Sequence, residues 1–213
     1  DHTDLRANAK EADIVRLCEE ARAYGFHAAV IAPTYVPLAA AELSNSDVRV
    51  CSVVSFPLGH QSAEIKAAEA KVILGGGADE IDMVMNIAAF LCKRLQIVEE
   101  EIRMVAARCR ERDAILKVII ETAYLDSDGI RLATEIVAKC GADFVKTSTG
   151  FAPAGATIEA VRCMRAVAGN HLRIKAAGGI RTGEFARKLI EAGASRIGCS
   201  ASIDVVSLPD CGE

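Results

Sequence analysis

Short apolar runs alternate with amphipathic helical segments along almost the whole chain, and this alternation restricts the possible folds more than any other feature. The segment EADIVRLCEEARAYGF (11–26) has apolar residues at the i, i+3, i+4 and i+7 spacing of a helix that packs on a core. It is followed by AAVIAP (28–33), a short apolar run that ends at a proline. Near-continuous apolar strands need cover on both faces, so the alternation predicts βα units around a parallel sheet.

The same pair of elements recurs along the chain, and the apolar runs predict seven strands with a further stub at DHT (1–3). The predicted strands are 28–33, 48–59, 79–85, 114–122, 143–148, 173–179 and 195–200, and the predicted helices are 11–26, 63–74, 97–112, 128–140, 157–167 and 181–193. A doubly wound sheet and a (β/α)8 barrel both fit this order. Repeated Gly-Ala pairs before strands, at Gly77, Gly141 and Gly193, favour the regular barrel. We therefore expect one α/β domain over residues 1–213, a (β/α)8 TIM barrel.

Composition restricts the class of partner. The net charge is −4 with no clustered basic excess, which argues against nucleic acid, and no apolar run reaches the roughly 18 residues of a membrane span. The eight cysteines contain no C-x-x-C pair, a pattern typical of reduced thiols in a cytoplasmic protein rather than of disulfides or a zinc site. Because the chain begins with Asp1 and not methionine, we expect an N-terminal segment to be missing.

Three ionisable residues lie in or at the ends of predicted strands: Asp82, Lys146 and Lys175. In a (β/α)8 barrel the C-terminal strand ends form the active-site face. Two neighbouring ammonium groups repel, so the pKa of one lysine is expected to fall, giving a neutral amine that attacks carbonyls to form a Schiff base. Asp82 is then the general acid/base candidate. Structural ion pairing is the alternative for all three residues, and Lys117 is expected lower in the barrel, as a supporting charge.

Glycines end the last two predicted strands, at Gly178, Gly179 and Gly198. Backbone amides beside a helix start bind phosphate, and such sites recur after strands 7 and 8 of these barrels. Arg181 and Ser200 can add hydrogen-bond donors. The alternative is that the glycines only permit tight turns. Combined with the two lysines, the pattern favours a phosphorylated carbonyl compound as the substrate.

Several motifs resemble the 2-deoxyribose-5-phosphate aldolase family, in the right order over almost the whole chain. They are DHT at the start, FPLG (56–59), GADEIDMV (77–84), LKVIIET (116–122), GADFVKTSTGF (141–151), KAAGGIR (175–181) and AGASRIG (192–198). The resemblance implies a (β/α)8 class I aldolase that needs no metal or cofactor. It also implies reversible cleavage of 2-deoxy-D-ribose 5-phosphate to D-glyceraldehyde 3-phosphate and acetaldehyde, in deoxyribose phosphate catabolism in the cytoplasm.

The resemblance also implies a role for each matching residue. Lys146 is the Schiff-base lysine, Lys175 the neighbour that lowers its pKa, and Asp82 the proton-transfer residue. Asp1 and Thr149 assist in the pocket, and the phosphate is held by Gly150, Gly178, Gly179, Arg181, Gly198 and Ser200. Ala177 and Ala201 stand where many members carry a hydroxyl group, which bears on rate and phosphate affinity. The expected assembly is a homodimer or homotetramer.

Two other functions remain open from the sequence. A transaldolase-like enzyme on the same barrel would keep the Schiff base but act on a longer substrate, and release of acetaldehyde separates the two. The other is a barrel that binds a sugar phosphate as a sensor, with Lys146 only a charge partner. Trapping of an imine on Lys146 separates the enzyme from the sensor.

Overall fold

Eight strands pair in parallel in the order in which they occur along the chain. They are β1 (His2–Asp4), β2 (Ala28–Ile31), β3 (Arg49–Val54), β4 (Glu80–Val84), β5 (Ile115–Ile119), β6 (Phe144–Lys146), β7 (Arg173–Ala177) and β8 (Arg196–Gly198). The backbone nitrogen of Thr3 donates to the carbonyl oxygen of Cys199, and that of Cys199 donates to Asp1, each at 3.2 Å. These bonds join β1 to the end of β8, so the sheet closes into a barrel. The structure, a computed structural model, describes residues 1–207.

Helices follow the strands and form the outer layer of the barrel. Those in residues 1–207 are α1 (Glu11–Ala23), α2 (Val36–Glu42), α3 (Ala63–Gly75), α4 (Ile87–Leu91), α5 (Leu95–Arg110), α6 (Ser127–Lys139), α7 (Ile158–Val167), α8 (Gly183–Glu191) and α9 (Ser202–Ser207). The expected barrel and all its predicted strands and helices are confirmed, with ends that differ by a few residues. The short helices α2, α4 and α9 were not predicted. For α2 the reason is Pro37, which marks a turn in the sequence but occupies the first turn of the helix.

Strand alternation places charges inside the barrel and apolar side chains outside it. In β4, Ile81 and Met83 belong to the large core between strands and helices, whereas Glu80 and Asp82 point to the opposite face and are fully buried. Register then brings the charges together, because Asp82 pairs with Lys117 of β5, and Lys146 pairs with Lys175 across β6 and β7.

The other side of the barrel interior is apolar. Ala28 and Val30 of β2 form a second buried cluster with Cys51 and Val53 of β3, separate from the outer core. Leu5 and Phe56 pack against this cluster. The interior is therefore divided into an apolar part at β2 and β3 and a charged part at β4 to β8. The ionisable side chains that can react lie in the charged part.

A further buried ion pair lies outside the barrel. Nζ of Lys66 on α3 is 2.7 Å from Oε2 of Glu101 on α5, and it also donates to the carbonyl oxygen of Val84 at 2.8 Å. The other oxygen of Glu101 accepts from the backbone nitrogen of Asn86 at 2.5 Å. The pair ties α3 and α5 to the end of β4 and does not touch the charges inside the barrel.

All seven cysteines in the described part of the chain are free thiols, four of them buried, while Cys211 lies outside the described residues. None of the helices in residues 1–207 combines the length and apolar character that crossing a membrane requires.

Candidate active site

One carboxylate, that of Asp82, bridges three lysines from the three strands that follow it. Its Oδ2 atom accepts from Nζ of Lys146 at 2.6 Å and from Nζ of Lys175 at 2.8 Å. Its Oδ1 atom accepts from Nζ of Lys117 at 2.7 Å, and the thiol of Cys51 lies 3.4 Å from the same oxygen. The structure therefore brings the three residues predicted to act together, Asp82, Lys146 and Lys175, into direct contact.

The surroundings lower the pKa of both Asp82 and Lys146, which favours the ionised carboxylate and the neutral amine. Burial opposes ionisation of Asp82, but the nearby ammonium groups, that of Lys117 first, hold its pKa well below the usual range. Burial lowers the pKa of Lys146 to about 8, with the positive charge of Lys175 acting in the same direction and Asp82 opposing it. Desolvation is thus the largest cause of the lowered Lys146 pKa. Repulsion from Lys175, which the sequence suggested as the cause, contributes less.

A second set of charges lies deeper in the barrel, towards its N-terminal end. Oε2 of Glu80 is 2.6 Å from Nζ of Lys117 and 3.4 Å from a guanidinium nitrogen of Arg196. Arg196 also pairs with Asp1 at 2.9 Å, and Asp1 pairs with Nζ of Lys175 at 2.5 Å. Lys117 was expected lower in the barrel, and this is confirmed, because it pairs with Phe144, two residues before Lys146, and does not line the cavity. There it links Asp82 to Glu80.

Six of these side chains form a closed ring of ion pairs, to which Lys146 is joined through Asp82, and the seven together are here called the interior charge cluster. Within residues 1–207 it contains four cationic side chains and three carboxylates: Lys117, Lys146, Lys175 and Arg196 against Asp1, Glu80 and Asp82. With every group ionised the cluster has one positive charge in excess, in surroundings that disfavour net charge. Loss of one proton balances it, and Lys146 is the member whose pKa lies nearest neutrality. The arrangement therefore gives Lys146 a larger neutral fraction near neutral pH than an exposed lysine has.

The amine opens into a cavity of about 650 Å³ at the C-terminal end of the strands. Lys146 and Lys175 line it, as do seven other predicted site residues: Thr149, Gly150, Gly178, Gly179, Arg181, Gly198 and Ser200. Asp82 and Asp1 are not in the lining and lie beneath the two lysines. Around the two lysines a substrate therefore meets backbone turns, while the carboxylates of Asp1 and Asp82 act from below.

Two of the turns around this cavity approach each other closely. A Cβ atom added to Gly155 would lie 2.1 Å from the carbonyl oxygen of Gly178, so no side chain fits there. The backbone nitrogen of Ala156 donates to the carbonyl oxygen of Gly178 at 3.1 Å. The loop after β6 is thereby fixed against the loop after β7, and Gly150 of the first and Gly178 of the second line the same cavity.

Comparison with known proteins agrees with this geometry. The family described as DeoC/LacD family aldolase matches residues 1–203. The chain belongs to the DeoC/LacD aldolase family. It is similar to the deoxyribose-phosphate aldolase of Aciduliprofundum boonei, with 50% identity over 206 residues, covering 97% of this chain and 93% of that protein.

Solved structures support the same membership. A crystal structure from Coccidioides immitis superposes on this DeoC/LacD aldolase with a TM-score of 0.94 at 43% identity, covering 97% of this chain and 82% of that one. The deoxyribose phosphate aldolase of Aeropyrum pernix, described as having a unique tetrameric structure, gives a TM-score of 0.89 at 34% identity. That match covers 96% of this chain and 86% of that one.

Sequence reasoning missed three residues of the site in this family member. Glu80 lies two residues before Asp82, and the period of two in a strand could have placed both on one face. Arg196 begins the last strand, and only the closed barrel shows that it reaches Asp1. Glu121 follows β5 in a left-handed backbone conformation, with φ of 51°, and no sequence signal indicates this.

Proposed function

We propose that this chain is a class I aldolase that reversibly cleaves 2-deoxy-D-ribose 5-phosphate to D-glyceraldehyde 3-phosphate and acetaldehyde. The name deoxyribose-phosphate aldolase, carried by relatives about 50% identical over nearly the whole chain, supports this substrate. The observation that carries the reaction type is the Lys146 amine, which is buried beside Asp82 with a pKa of about 8 at the edge of the cavity. A neutral amine in such a place attacks carbonyls.

The first half of the reaction makes an imine. The neutral amine of Lys146 attacks C1 of the open-chain sugar, and loss of water gives the protonated imine. Proton transfers in this step run through Asp82, because its Oδ2 atom touches both Lys146 and Lys175. Its low pKa keeps Asp82 an anion between transfers and stabilises the positive imine next to it.

The second half breaks the carbon–carbon bond. The protonated imine withdraws electrons from C2, so the C2–C3 bond breaks as the C3 hydroxyl loses its proton and becomes the aldehyde of glyceraldehyde 3-phosphate. The enamine left on Lys146 takes up a proton at C2, and hydrolysis releases acetaldehyde. We propose that the turns at Gly150, Gly178, Gly179 and Gly198, with Arg181 and Ser200, bind the phosphate. Binding of the phosphate, at the far end of the substrate from C1, orients C1 towards Lys146.

We further propose that the enzyme acts in the cytoplasm as a homodimer or homotetramer. Free thiols at all seven described cysteines support a reducing compartment. The tetramer described for the Aeropyrum pernix relative supports an oligomer. Light scattering of the purified chain measures the assembly directly, and a monomer at micromolar concentration would contradict it.

Borohydride reduction with acetaldehyde tests the function, followed by intact mass and peptide mapping. We expect an ethyl adduct on Lys146, no adduct after Lys146→Ala, and none on the buried control Lys66. No adduct on folded wild-type protein would favour the sensor. An adduct without acetaldehyde release from 2-deoxyribose 5-phosphate would favour the transaldolase-like enzyme.

A further inference from the structure

Glu121 is a buried carboxylate outside the interior charge cluster. Its residue is only 1% exposed, and it has φ of 51°, a conformation that disfavours side chains by about 1 kcal/mol. Within residues 1–207 it forms no ion pair, unlike the buried acids Glu80, Asp82 and Glu101. Burial raises the pKa of the Glu121 carboxyl, and among the described residues only the charge of Lys146 acts on it from a distance, with the smaller effect of lowering that pKa. A glutamate kept in a strained conformation without a direct ion pair points to a specific use for its oxygens.

Among residues 1–207, those oxygens accept hydrogen bonds from one residue, Thr149. Oε2 of Glu121 accepts from the backbone nitrogen of Thr149 at 3.1 Å and from its Oγ1 at 2.5 Å. Oγ1 of Thr149 in turn accepts from the backbone nitrogen of Phe151 at 3.0 Å. The single hydroxyl hydrogen of Thr149 is therefore directed to Glu121 and away from the cavity, and both ends of the turn are fixed.

The turn held in this way is part of the cavity wall. Thr149 and Gly150 both line the cavity, next to the turn at Gly178. A Cβ atom added at Gly178 would lie 3.5 Å from Cα of Gly150, so the two turns are in contact distance of each other. A shift of the Thr149 turn would therefore widen the site proposed for the phosphate, whereas Lys146 is held separately by Asp82.

We infer that Glu121 is a positioning residue for the phosphate half of the site, acting through the Thr149 turn, an inference that rests on the proposed function. Removal of its carboxylate weakens binding of phosphorylated substrates. The reaction of Lys146 with acetaldehyde, which has no phosphate, stays intact. Changes at Glu121 are thus expected to alter the affinity for phosphorylated substrates without altering imine formation on Lys146.

The test compares Glu121→Ala with Glu121→Gln, which keeps an oxygen able to accept both bonds from Thr149. For Glu121→Ala we expect KM for 2-deoxyribose 5-phosphate to rise roughly 10- to 100-fold, the size of losing hydrogen bonds to a charged group. Acetaldehyde trapping on Lys146 and kcat/KM for unphosphorylated 2-deoxyribose should stay within about twofold of wild type. Glu121→Gln should restore most of the affinity, and the buried control Glu101→Gln should leave KM unchanged.

The outcomes separate this inference from the proposed function. Equal loss of acetaldehyde trapping and phosphate-dependent turnover in Glu121→Ala would place the residue at Lys146 and overturn the inference. An unchanged KM would also overturn it. If Glu121→Ala does not fold, Glu121→Asp decides, since it keeps the carboxylate but draws it back from Thr149 by one methylene, and it must raise KM in the same selective way. Absence of trapping in wild-type protein contradicts the proposed function itself.

Discussion

Lys175 lies directly against Gly198, so that a Cβ atom added at Gly198 would come within 2.8 Å of Cε of the lysine. The glycine is the last residue of β8, and Lys175, which lines the cavity, is held from below by Asp1 and Asp82. A side chain at this position would displace the lysine from at least one of its carboxylates. Gly198 therefore has a role besides the phosphate contact predicted for it, since it leaves room for the lysine.

Gly198→Ala is expected to lower kcat more than the change of one methyl group suggests. Displacement of Lys175 disturbs both Asp82 and the ionisation of Lys146, so we expect a loss of roughly tenfold or more, equivalent to about 1.4 kcal/mol. Steady-state kinetics measures it. Gly75→Ala is the matched control, because a Cβ at Gly75 meets open space. Equal kinetics for the two variants would show that the contact has no functional importance.

Lys175→Leu is expected to shift activity to higher pH. The positive charge of Lys175 lowers the pKa of Lys146, so its removal raises that pKa above about 8 and reduces the neutral fraction at a given pH. With Lys175 absent, the remaining cluster is balanced when Lys146 is protonated. The pH profile of kcat/KM, which reports the free enzyme, should show its acid limb displaced upward. A limb that stays in place or moves down would contradict this charge balance.

Lys146→Met is expected to stabilise the protein at pH 7 while abolishing turnover. The pKa of Lys146 falls from 10.5 to about 8 on folding, which corresponds to a cost of about 3 kcal/mol for the protonated form. Between these values the unfolded chain binds more protons, so wild-type stability rises with pH. The advantage of Lys146→Met should therefore be largest below pH 8 and shrink towards pH 10.5. Urea denaturation across this range measures it, and a variant less stable at pH 7 would refute the argument.

Glu80→Gln is expected to destabilise the fold and also to change the pH profile. It leaves Lys117 and Arg196 with one anion fewer, and breaking such a buried pair costs about 3–5 kcal/mol. The added positive excess also favours loss of the Lys146 proton, so the acid limb should move to lower pH. Glu101→Gln is the control, because it breaks a buried pair outside the interior charge cluster. We expect a similar loss of unfolding free energy there but no change in the pH profile, and an identical effect of both variants would remove any link from Glu80 to Lys146.

The barrel was predictable because each strand and helix carries its own periodic pattern, independent of distant residues. The contact between Asp82 and the lysines was predictable in outline, since polar residues of neighbouring strands meet inside a barrel. The depth of Lys117 followed from its mid-strand place. Its bridge from Asp82 to Glu80 was not predictable, because it depends on the register between β4 and β5, which the sequence of either strand does not specify.

The contacts of Glu121 could not have been predicted for a different reason. In the sequence it continues an apolar strand, yet it adopts a left-handed conformation that directs it to Thr149, 28 residues away. Local propensity favours neither that conformation nor a carboxylate in it. The contact of Glu121 with Thr149 can be recognised only in the folded chain. The sequence therefore indicated a role for Thr149 in the pocket but not the carboxylate that holds it.

The junction between β1 and the end of β8 makes the interior charge cluster depend on both ends of the chain. Asp1 meets Lys175 and Arg196 across 174 and 195 positions of the chain, so the ring of charges forms only after the last strand has left the ribosome. Contacts of such long range are made slowly and late. The full set of charges around Lys146 therefore exists only once the first and last strands have met, which ties the reactivity of the amine to a completely closed barrel.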